Sequence, residues 1–555
     1  MRGERLDLNR LGDEERRQLL EVADGVVGDG GKAVAVAAYG SKVAGYARTD
    51  SDYDLIVVAK KIRGGIGYKY VHSPVTAAAL VVEADLLERD AVKAYLGEFV
   101  SGRLLNVYEP LLNEDLLRKA ELESKKRVLA EEILELGSQQ GEFAQDLLIP
   151  LEYFLFDKLH KRALIYPPAL YSYIKTYTCP SADENKAFTL AGFAEGALSL
   201  QSGGILKLEA KGGEPHVRIL GEGLRGRAFA TTLSIFNLTK RGVKQYAVHG
   251  YAGRVGLNVF KDEALSKVKR MQEKVEPPTE LEEPKRLIRL EEGVVLPKTE
   301  QMVQRLATLS GMVAYTRREK NLGEIYTTAR LLVLTGGTGK EAKFVLKYFA
   351  DIRSVKWAIL NVWSSRKFST SPQARMHREY IASIELRAKG VSTPLILGAV
   401  LDDKVLVKEF IEGERLSDMI QEVLTGRSGE TDNIEKFGGA LGAIHKAGFA
   451  LGDSKATNVI VKGDGRLFFT DLEQAEVGGD QAWDVAAFVY YQAKLSFKEA
   501  GTKKVAEAFL RGYKRANGTE NILKAKSPKY VAPFRPLTSP QLLKTVRETI
   551  EANSG

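Results

Sequence analysis

Leu451-Gly452-Asp453-Ser454-Lys455-Ala456-Thr457-Asn458, with Phe468-Phe469-Thr470-Asp471-Leu472 a few residues on, is the stretch from which the C-terminal half of this 555-residue chain is read. Asp453 and Asn458 stand five residues apart, with Lys455 two after the Asp, and a hydrophobic run precedes each carboxylate. Moving a phosphoryl group off a metal-bound triphosphate needs few covalent helpers but well-placed charges. They are a carboxylate facing the acceptor hydroxyl, an Asn and a second carboxylate on Mg²⁺, and a Lys on the donor phosphates. Asp453, Asn458 and Asp471 match the first three by type and order.

Upstream, Lys343-Phe344-Val345-Leu346-Lys347-Tyr348-Phe349 alternates as a strand does and follows a Gly-rich turn, Thr335-Gly336-Gly337-Thr338-Gly339. This puts Lys347 where a phosphate-gripping strand Lys belongs. Glu379, in the helical stretch Arg375-Met376-His377-Arg378-Glu379-Tyr380-Ile381, is its expected ion-pair partner. After a further strand, Lys404 to Phe410, the segment Glu409-Phe410-Ile411-Glu412-Gly413 reads as a hinge between two lobes. The backbone of Glu409 and Ile411 is expected to meet an adenine edge.

These residues, over roughly 305 to 520, resemble the eukaryotic-like protein kinase superfamily. Within it they resemble the small atypical archaeal branch that includes the RIO kinases, the KEOPS-complex kinase and archaeal RNA kinases. The resemblance implies a two-lobed domain using ATP and Mg²⁺, with Lys347 and Glu379 positioning phosphates, Asp453 as base, Lys455 beside it, and Asn458 and Asp471 as metal ligands. Three departures qualify it. Leu451-Gly452 replaces His-Arg ahead of Asp453, so no Arg is available to read a phosphorylated activation loop. Leu472-Glu473 follows Asp471, and only a short stretch separates it from Trp483-Asp484-Val485-Ala486, which leaves no room for the usual peptide-docking segment. No G-x-G-x-x-G precedes Lys347, and Lys320-Asn321-Leu322-Gly323-Glu324 is the nearest phosphate-covering turn, ahead of a strand expected over Ile325 to Leu334.

The N-terminal end carries a second motif. The apolar run Ala33 to Ala38 enters Tyr39-Gly40-Ser41, and eleven residues past Ser41 comes Asp52-Tyr53-Asp54-Leu55-Ile56-Val57-Val58. Two carboxylates one residue apart at a strand start resemble the nucleotidyltransferase superfamily. Asp52 and Asp54 would hold Mg²⁺ on a nucleoside triphosphate, while the Gly40-Ser41 turn lets backbone approach its phosphates. A third carboxylate is expected on a neighbouring strand, and Ala79 to Leu86 offers Glu83, with Asp85 as the alternative; Asp85 also reads as a helix cap.

Between the two sites, residues 110 to 160 read as helical. Further helices around Leu159 to Tyr177 and Lys186 to Gln201 then lead into a Gly-turned hairpin, Gly203 to Ile219, an order that resembles a winged helix. Arg225, Arg227, Phe229, Phe236, Lys240, Arg241, Lys244, Tyr246, His249, Tyr251 and Arg254 interleave cations with rings, which suits RNA phosphates and unpaired bases. Lys and Arg number 81 against 72 Asp and Glu, a net +9 that is concentrated in this segment and near Lys524, Lys526, Lys529 and Arg535.

The expected class is multidomain α/β and α+β. A nucleotidyltransferase-like domain is expected over 1–110, a helical connector over 111–160 and a winged-helix-like basic region over 161–275. A charged, Pro-rich linker over 276–300, an atypical kinase-like domain over 301–520, and a basic tail ending in a helix over 521–555 complete the reading. The single cysteine, Cys179, excludes intrachain disulfides, leaves no disulfide-linked partner expected and fits a reducing cytoplasm. The charged start, Met1-Arg2-Gly3-Glu4-Arg5, lacks the apolar core of a signal peptide, and no apolar run is long enough for a membrane span, so a cytoplasmic protein is expected. Three functions compete: a kinase acting on or guided by RNA, tRNA being the expected class, with a protein Ser/Thr as the other acceptor; a nucleotidyltransferase using Asp52 and Asp54 with a regulatory kinase-like region; and an RNA-binding scaffold.

Overall fold

Runs of small and branched apolar residues with no polar alternation, such as Ala35–Ala38 and Leu55–Val58, form strands only where both faces of a sheet are covered. The computed structural model shows this arrangement. It describes residues 8–28, 31–167, 169–221, 244, 248, 276–322, 329–349, 371–496 and 498–553. They fall into two compact units, Met1–Arg289 and Leu290–Gly555.

The first unit begins with α1 (Asp13–Val27), β1 (Ala35–Tyr39), the single turn α2 (Ser41–Ala44), β2 (Tyr53–Ala59), β3 (Ile66–Val71), β4 (Ala77–Glu83) and α3 (Ala84–Lys93). Then come β5 (Tyr108–Leu112) and the long α4 (Glu114–Gln140). The strands form one sheet in the order β3-β4-β2-β1-β5, with β2 and β4 parallel and β1 antiparallel to both its neighbours. Next in the chain are β6 (Ile149–Pro150), α5 (Leu151–Ile165), α6 (Ala169–Thr178), α7 (Ala182–Ser202) and a hairpin, β7 (Leu206–Lys211) and β8 (Glu214–Ile219). β8 pairs back onto β6, so a strand, three helices and a hairpin close on themselves.

Several expected boundaries dissolve in the packing. Leu117 and Ala120 of α4 and Phe188 of α7 bury into the core of the N-terminal sheet, so no break falls at residue 110. A cut at 160 would sever α5, whose apolar spacing continues from Leu159 to Ala163. The stretch taken as a linker also packs. The turn α8 (Thr279–Glu282) buries Leu281, Ile288 is fully buried, and Arg289 exchanges both backbone hydrogen bonds with Leu148. Prolines and charges dominate that segment's composition, but its few apolar residues decide its placement. The basic, aromatic segment expected to meet RNA lies outside the described residues except at Lys244, whose ammonium meets the Tyr95 carbonyl at 3.3 Å.

The second unit opens with β9 (Val294–Leu296), inside the range expected to be linker, then α9 (Thr299–Leu309), β10 (Tyr315–Asn321), β11 (Ala329–Gly336) and β12 (Glu341–Tyr348). Of the turn expected to cover phosphates, Lys320 and Asn321 end β10, while Gly323 and Glu324 lie outside the described residues. After α10 (Pro372–Ala388) come β13 (Ile396–Val400) and β14 (Val405–Glu409). These strands make a six-stranded sheet, order β10-β11-β12-β14-β13-β9. One face packs Leu346, Val405 and Val407 onto Met302 and Leu306 of α9. Strand alternation turns Lys347 and Lys408 to the other face.

The rest of the unit is mainly helical: β15 (Glu414–Arg415), α11 (Leu416–Thr425), α12 (Asp432–Lys446), β16 (Phe449–Ala450), β17 (Val459–Val461), β18 (Leu467–Phe469), β19 (Glu476–Val477), α13 (Gln481–Lys494) and α14 (Glu499–Asn517). The rings of Phe437, Phe488 and Phe509 pack against one another at its centre, tilted by 33 to 45°. The C-terminal segment is no surface tail. In α15 (Glu520–Ala525), α16 (Pro528–Val531) and α17 (Pro540–Ala552), Ile522, Tyr530, Val531, Leu542, Val546 and Ile550 bury into that same core, while their lysines face water. Among the described residues, no helix is long and apolar enough to cross a membrane.

Candidate functional site

Two structural devices shape the loop from Leu451 to Asn458. From below, the fully buried Asp484 of α13 accepts hydrogen bonds from the amides of Leu451 (2.5 Å) and Gly452 (2.7 Å) and meets His445 Nε2 at 3.1 Å. Trp483 Nε1 donates to the Gly452 carbonyl at 2.9 Å. The loop turns at Gly452 with φ of 75°, a left-handed backbone that favours glycine at the position where Arg was missed from the sequence pattern. From the side, the β17–β18 hairpin sets Val459 opposite Phe469, which brings Asn458 across from Thr470 and next to Asp471. Thr470 N and Oγ1 both donate to the Asn458 carbonyl, at 2.8 and 3.0 Å. The Asn458 side-chain amide donates to the Asp453 carbonyl at 2.9 Å. A cavity lined by Asp453, Lys455, Asn458 and Asp471 results.

Lys347 reaches Asp471, in the wall of this cavity, from the sheet. Its ammonium lies 2.7 Å from Glu379 Oε2, 2.6 Å from Asp471 Oδ1 and 3.6 Å from Glu473 Oε2, joining positions 124 residues apart. Lys347 and Glu379 are buried, and Asp471 remains partly exposed on the cleft side. Burial alone would raise the Glu379 pKa. Lys347 and Lys408 outweigh burial and hold the carboxyl below its ordinary value. Lys455 pairs with Asp453 at 2.5 Å; burial works against its charge, but Asp453 prevails and raises it. Asp471 adopts φ of 57°, in the left-handed region, where a partly exposed carboxylate is held toward Lys347.

Of the residues expected here, Lys347, Glu379, Asp453, Lys455, Asn458 and Asp471 come together. Glu409 is the last residue of β14, and Ile411 lies two residues beyond it. The Glu409 amide is used within the sheet edge, donating to the Leu395 carbonyl at 2.9 Å, and Ile411 is buried. Three members of the charge cluster were missed: Lys408, hydrogen-bonded to Glu379 Oε1, and Arg375 with Glu473, paired at 3.3 Å. Lys408 alternates with core residues in β14, and that alternation was its one sequence signal. Oxygen donors at Asn458 and Asp471, open to the cleft beside Asp453, suit a hard cation such as Mg²⁺. No cluster of three or more His, Cys, Asp or Glu side chains suited to a metal occurs among the described residues.

The N-terminal motif assembles only in part. Gly40 has φ of 79°, and a Cβ built there would stand 2.1 Å from Asp54 Oδ2, so the turn closes over that carboxylate because no side chain intervenes. Ser41 starts α2, and Asp52 is exposed just before β2. Arg103 interacts electrostatically with Asp54 and donates to the hydroxyls of Tyr39 (3.0 Å) and Tyr68 (2.5 Å). The third carboxylate is not there. In the parallel register Asp54 faces Ala78 and Tyr53 faces Ala77, whereas Glu83 faces Ala59 at the far end. Five residues of strand put Glu83 about 17 Å from the Ala78 position. Its carboxylate instead accepts from the Ile62 amide at 3.1 Å, and it stands at the N-cap position of α3. Asp85 is no cap; it lies in the first turn of α3, 3.6 Å from Arg89.

No family model matches the chain. A KEOPS complex subunit Bud32 from Pyrococcus abyssi is 27% identical over 158 residues, which is 28% of this chain and 67% of that protein. A probable bifunctional tRNA threonylcarbamoyladenosine biosynthesis protein from Methanosarcina barkeri is 30% identical over 132 residues, 24% of this chain and 22% of that protein. The chain thus spans about a fifth of the second relative's length. A crystal structure of WbdD with the kinase inhibitor LY294002 and a structure described as the bifunctional kinase-methyltransferase WbdD each superpose with a TM-score of 0.25, at 15% and 16% identity. Each superposition covers 43% of this chain, and 45% and 51% of those chains. At that score they carry no argument.

Proposed function

We propose that this chain is an ATP-dependent phosphotransferase that passes the γ-phosphoryl group to a hydroxyl of an RNA, with tRNA the favoured class. The observation that carries this reading is the Lys347 ammonium held between Glu379 at 2.7 Å and Asp471 at 2.6 Å, with Asp471 lining the same cavity as Asp453 and Asn458. Such an arrangement serves a triphosphate: a cation fixed by a buried carboxylate, one oxygen-rich wall for a metal, and a carboxylate over the acceptor path.

Asp453 would accept a hydrogen bond from the acceptor hydroxyl and orient its oxygen in line with the γ-phosphorus. As the new P–O bond forms, the bond to the β-phosphate oxygen breaks and the hydroxyl proton passes to Asp453 and then to solvent. Lys455, paired with Asp453, faces the transferring group and counters charge on its oxygens. Lys347 holds donor phosphate oxygens while Glu379 holds Lys347. Glu409 and Ile411 line the base-binding edge. Asn458 and Asp471 would hold the Mg²⁺, which when bound neutralises triphosphate charge. Asp484, with His445 and Trp483, keeps the loop in shape without touching the reactants.

Three observations support RNA as the acceptor or scaffold. The stretch from Asp471 to Asp484 leaves no peptide-docking platform, β6 to β8 follow a winged-helix order, and the second relative's name refers to tRNA modification. The nucleotidyltransferase-like part over the first sheet would then dock nucleic acid rather than transfer nucleotides, because Ala78 stands where a third carboxylate is needed. A cytoplasmic site of action belongs to the same reading. The test is to incubate the full chain with γ-labelled ATP and either total RNA or protein extract. Label should stay in RNase-sensitive material and vanish with Asp453→Ala, and label confined to protein would overturn the RNA assignment.

A further inference from the structure

The N-terminal sheet has an open margin. β3 lies outermost in the order β3-β4-β2-β1-β5 and, among the described residues, pairs with β4 alone. The chain from Lys60 to Thr76, which turns into β3 and runs along it, holds Lys60, Lys61, Arg63 and Lys69 and no Asp or Glu. These cations are exposed, and among the described residues none has a carboxylate within ion-pair distance. Exposed lysines on an outer strand also deter a second strand from pairing there, and charge alone would serve that purpose. The rings of β3 do not serve it. Tyr70 keeps 48% of its surface exposed with all its neighbours in place, at a position where deterrence would favour another charge.

Register shows how that ring is set. Tyr70 pairs with Ala78, Ala78 with Asp54 and Asp54 with Tyr39, so one row of side chains crosses four strands on one face. Directly opposite Tyr70 stands only the methyl group of Ala78. Behind Tyr70, the Tyr68 ring lies 6.3 Å away and inclined by 22°, and Phe99 meets Tyr68 edge-on at 6.1 Å. Arg103 packs over Phe99 at 4.6 Å and donates to the hydroxyls of Tyr68 and Tyr39, which fixes the inner rings.

An exposed ring backed by fixed ones, on a margin of cations without carboxylates, suits unpaired bases joined by phosphates. We propose that β3 is a platform for single-stranded RNA, with one base stacked on Tyr70 and the adjoining phosphates on Lys69, Arg63 and Lys61. The proposal rests on the reading that the N-terminal sheet docks RNA for the phosphotransferase, and it names the surface used and the strandedness of what is docked. A duplex keeps its base faces inside its own stack and has none to offer the ring.

Direct binding tests this apart from catalysis. The full chain is titrated against a fluorescein-labelled oligouridine decamer, read by anisotropy, as wild type, Tyr70→Ala, Tyr70→Phe and Lys61→Gln/Arg63→Gln. Tyr70→Ala should weaken binding about tenfold, the loss of one base stack, while Tyr70→Phe stays within about twofold. Lys61→Gln/Arg63→Gln should lower the slope of log affinity against log salt by about 1.4, the counterion release of two phosphates on a single strand. On irradiation, a decamer carrying 5-iodouridine should crosslink to wild type at Tyr70, located by peptide mass spectrometry, and an unlabelled RNA duplex should compete poorly. Equal binding by wild type and Tyr70→Ala, a Tyr70→Phe as weak as Tyr70→Ala, an unchanged salt slope, crosslinks only at other residues, or a duplex that competes as well as the single strand overturns the proposal. Should Tyr70→Ala not fold, the wild-type crosslink and the salt slope decide. A crosslink at Tyr70 with no label passing from ATP to any RNA would instead defeat the phosphotransferase reading and leave the platform standing, and label transfer to RNA without that crosslink would do the reverse.

Discussion

The two acidic sites look alike on paper and fold differently. In the C-terminal unit Lys347 and Glu379 come from a strand and a helix to meet Asp471 at 2.6 to 2.7 Å around Lys347, and Asp471 shares one cavity wall with Asn458. In the N-terminal unit Asp54 lies against the Gly40 turn, Asp52 is exposed just before β2, and Glu83 stands a strand length away. The lesson concerns register. Alternation tells which face a strand residue takes, and it does not tell which end of the neighbouring strand lies alongside. A parallel pair set by its crossover decides that, and here it brings Ala77 and Ala78 to the acidic end.

The largest expected effect separates the two sites outright. Asp453→Ala should lower phosphoryl transfer about 10³-fold, while Asp54→Ala should leave it within about twofold, measured as label incorporated per minute at saturating ATP. Equal losses would mean that both sites share one reaction.

Next in size is the support beneath the loop. Asp484→Ala strips two amides and His445 of a buried charged acceptor and should destabilise the C-terminal unit by about 3 kcal/mol, seen as a lower urea midpoint of its unfolding step. An unchanged midpoint would show that the loop holds its own shape.

The comparison is sharpened by supplying the missing ligand. Ala78→Asp places a carboxylate at a buried position beside Asp54 and should cost about 2 kcal/mol without metal, because a charge is then buried next to a like charge; Mn²⁺ should recover the loss. Thermal melts with and without Mn²⁺ read this directly, and a variant indifferent to the ion would show that Asp52 and Asp54 cannot complete a metal site.

The smallest effect is in pH, and the units should respond in opposite directions. Glu379 titrates below its ordinary 4.5, so its stabilising contribution is complete above that value and disappears as pH falls below it. Glu132 in α4 is pushed upward, by burial first and then by Asp157, with Glu135 and Lys161 also facing it. Its contribution is complete below 4.5 and is lost as pH rises toward its raised value. Each slope is at most about 1.4 kcal/mol per pH unit. Glu132→Gln should flatten the rising-pH loss of the N-terminal unit, and Glu379→Gln the acid loss of the other; identical profiles in wild type and variants would remove both assignments.

That Lys347, Glu379, Asp453, Lys455, Asn458 and Asp471 come together was legible because they lie in short motifs whose order is fixed along the chain. What was not legible depends on tertiary pairing. Lys408 and Arg375 gain their place only when the sheet and α10 bring them to Glu379 and Glu473, and Glu83 read as a ligand until the β2–β4 register appeared. Domain limits failed for a related reason. Composition marked 276–300 and 521–555 as peripheral, yet a few apolar side chains, Leu281, Ile288, Val546 and Ile550 among them, bury completely.

The strand Val294–Leu296 lies along Val400 and Gly398 in parallel at the margin of the six-stranded sheet. A fragment begun at residue 301 would leave that margin bare, with a row of unsatisfied amides and carbonyls inviting a second copy to add its own strand. Self-association of such a fragment would then reflect where it was cut, and dimers seen in it would say nothing about how the intact chain assembles.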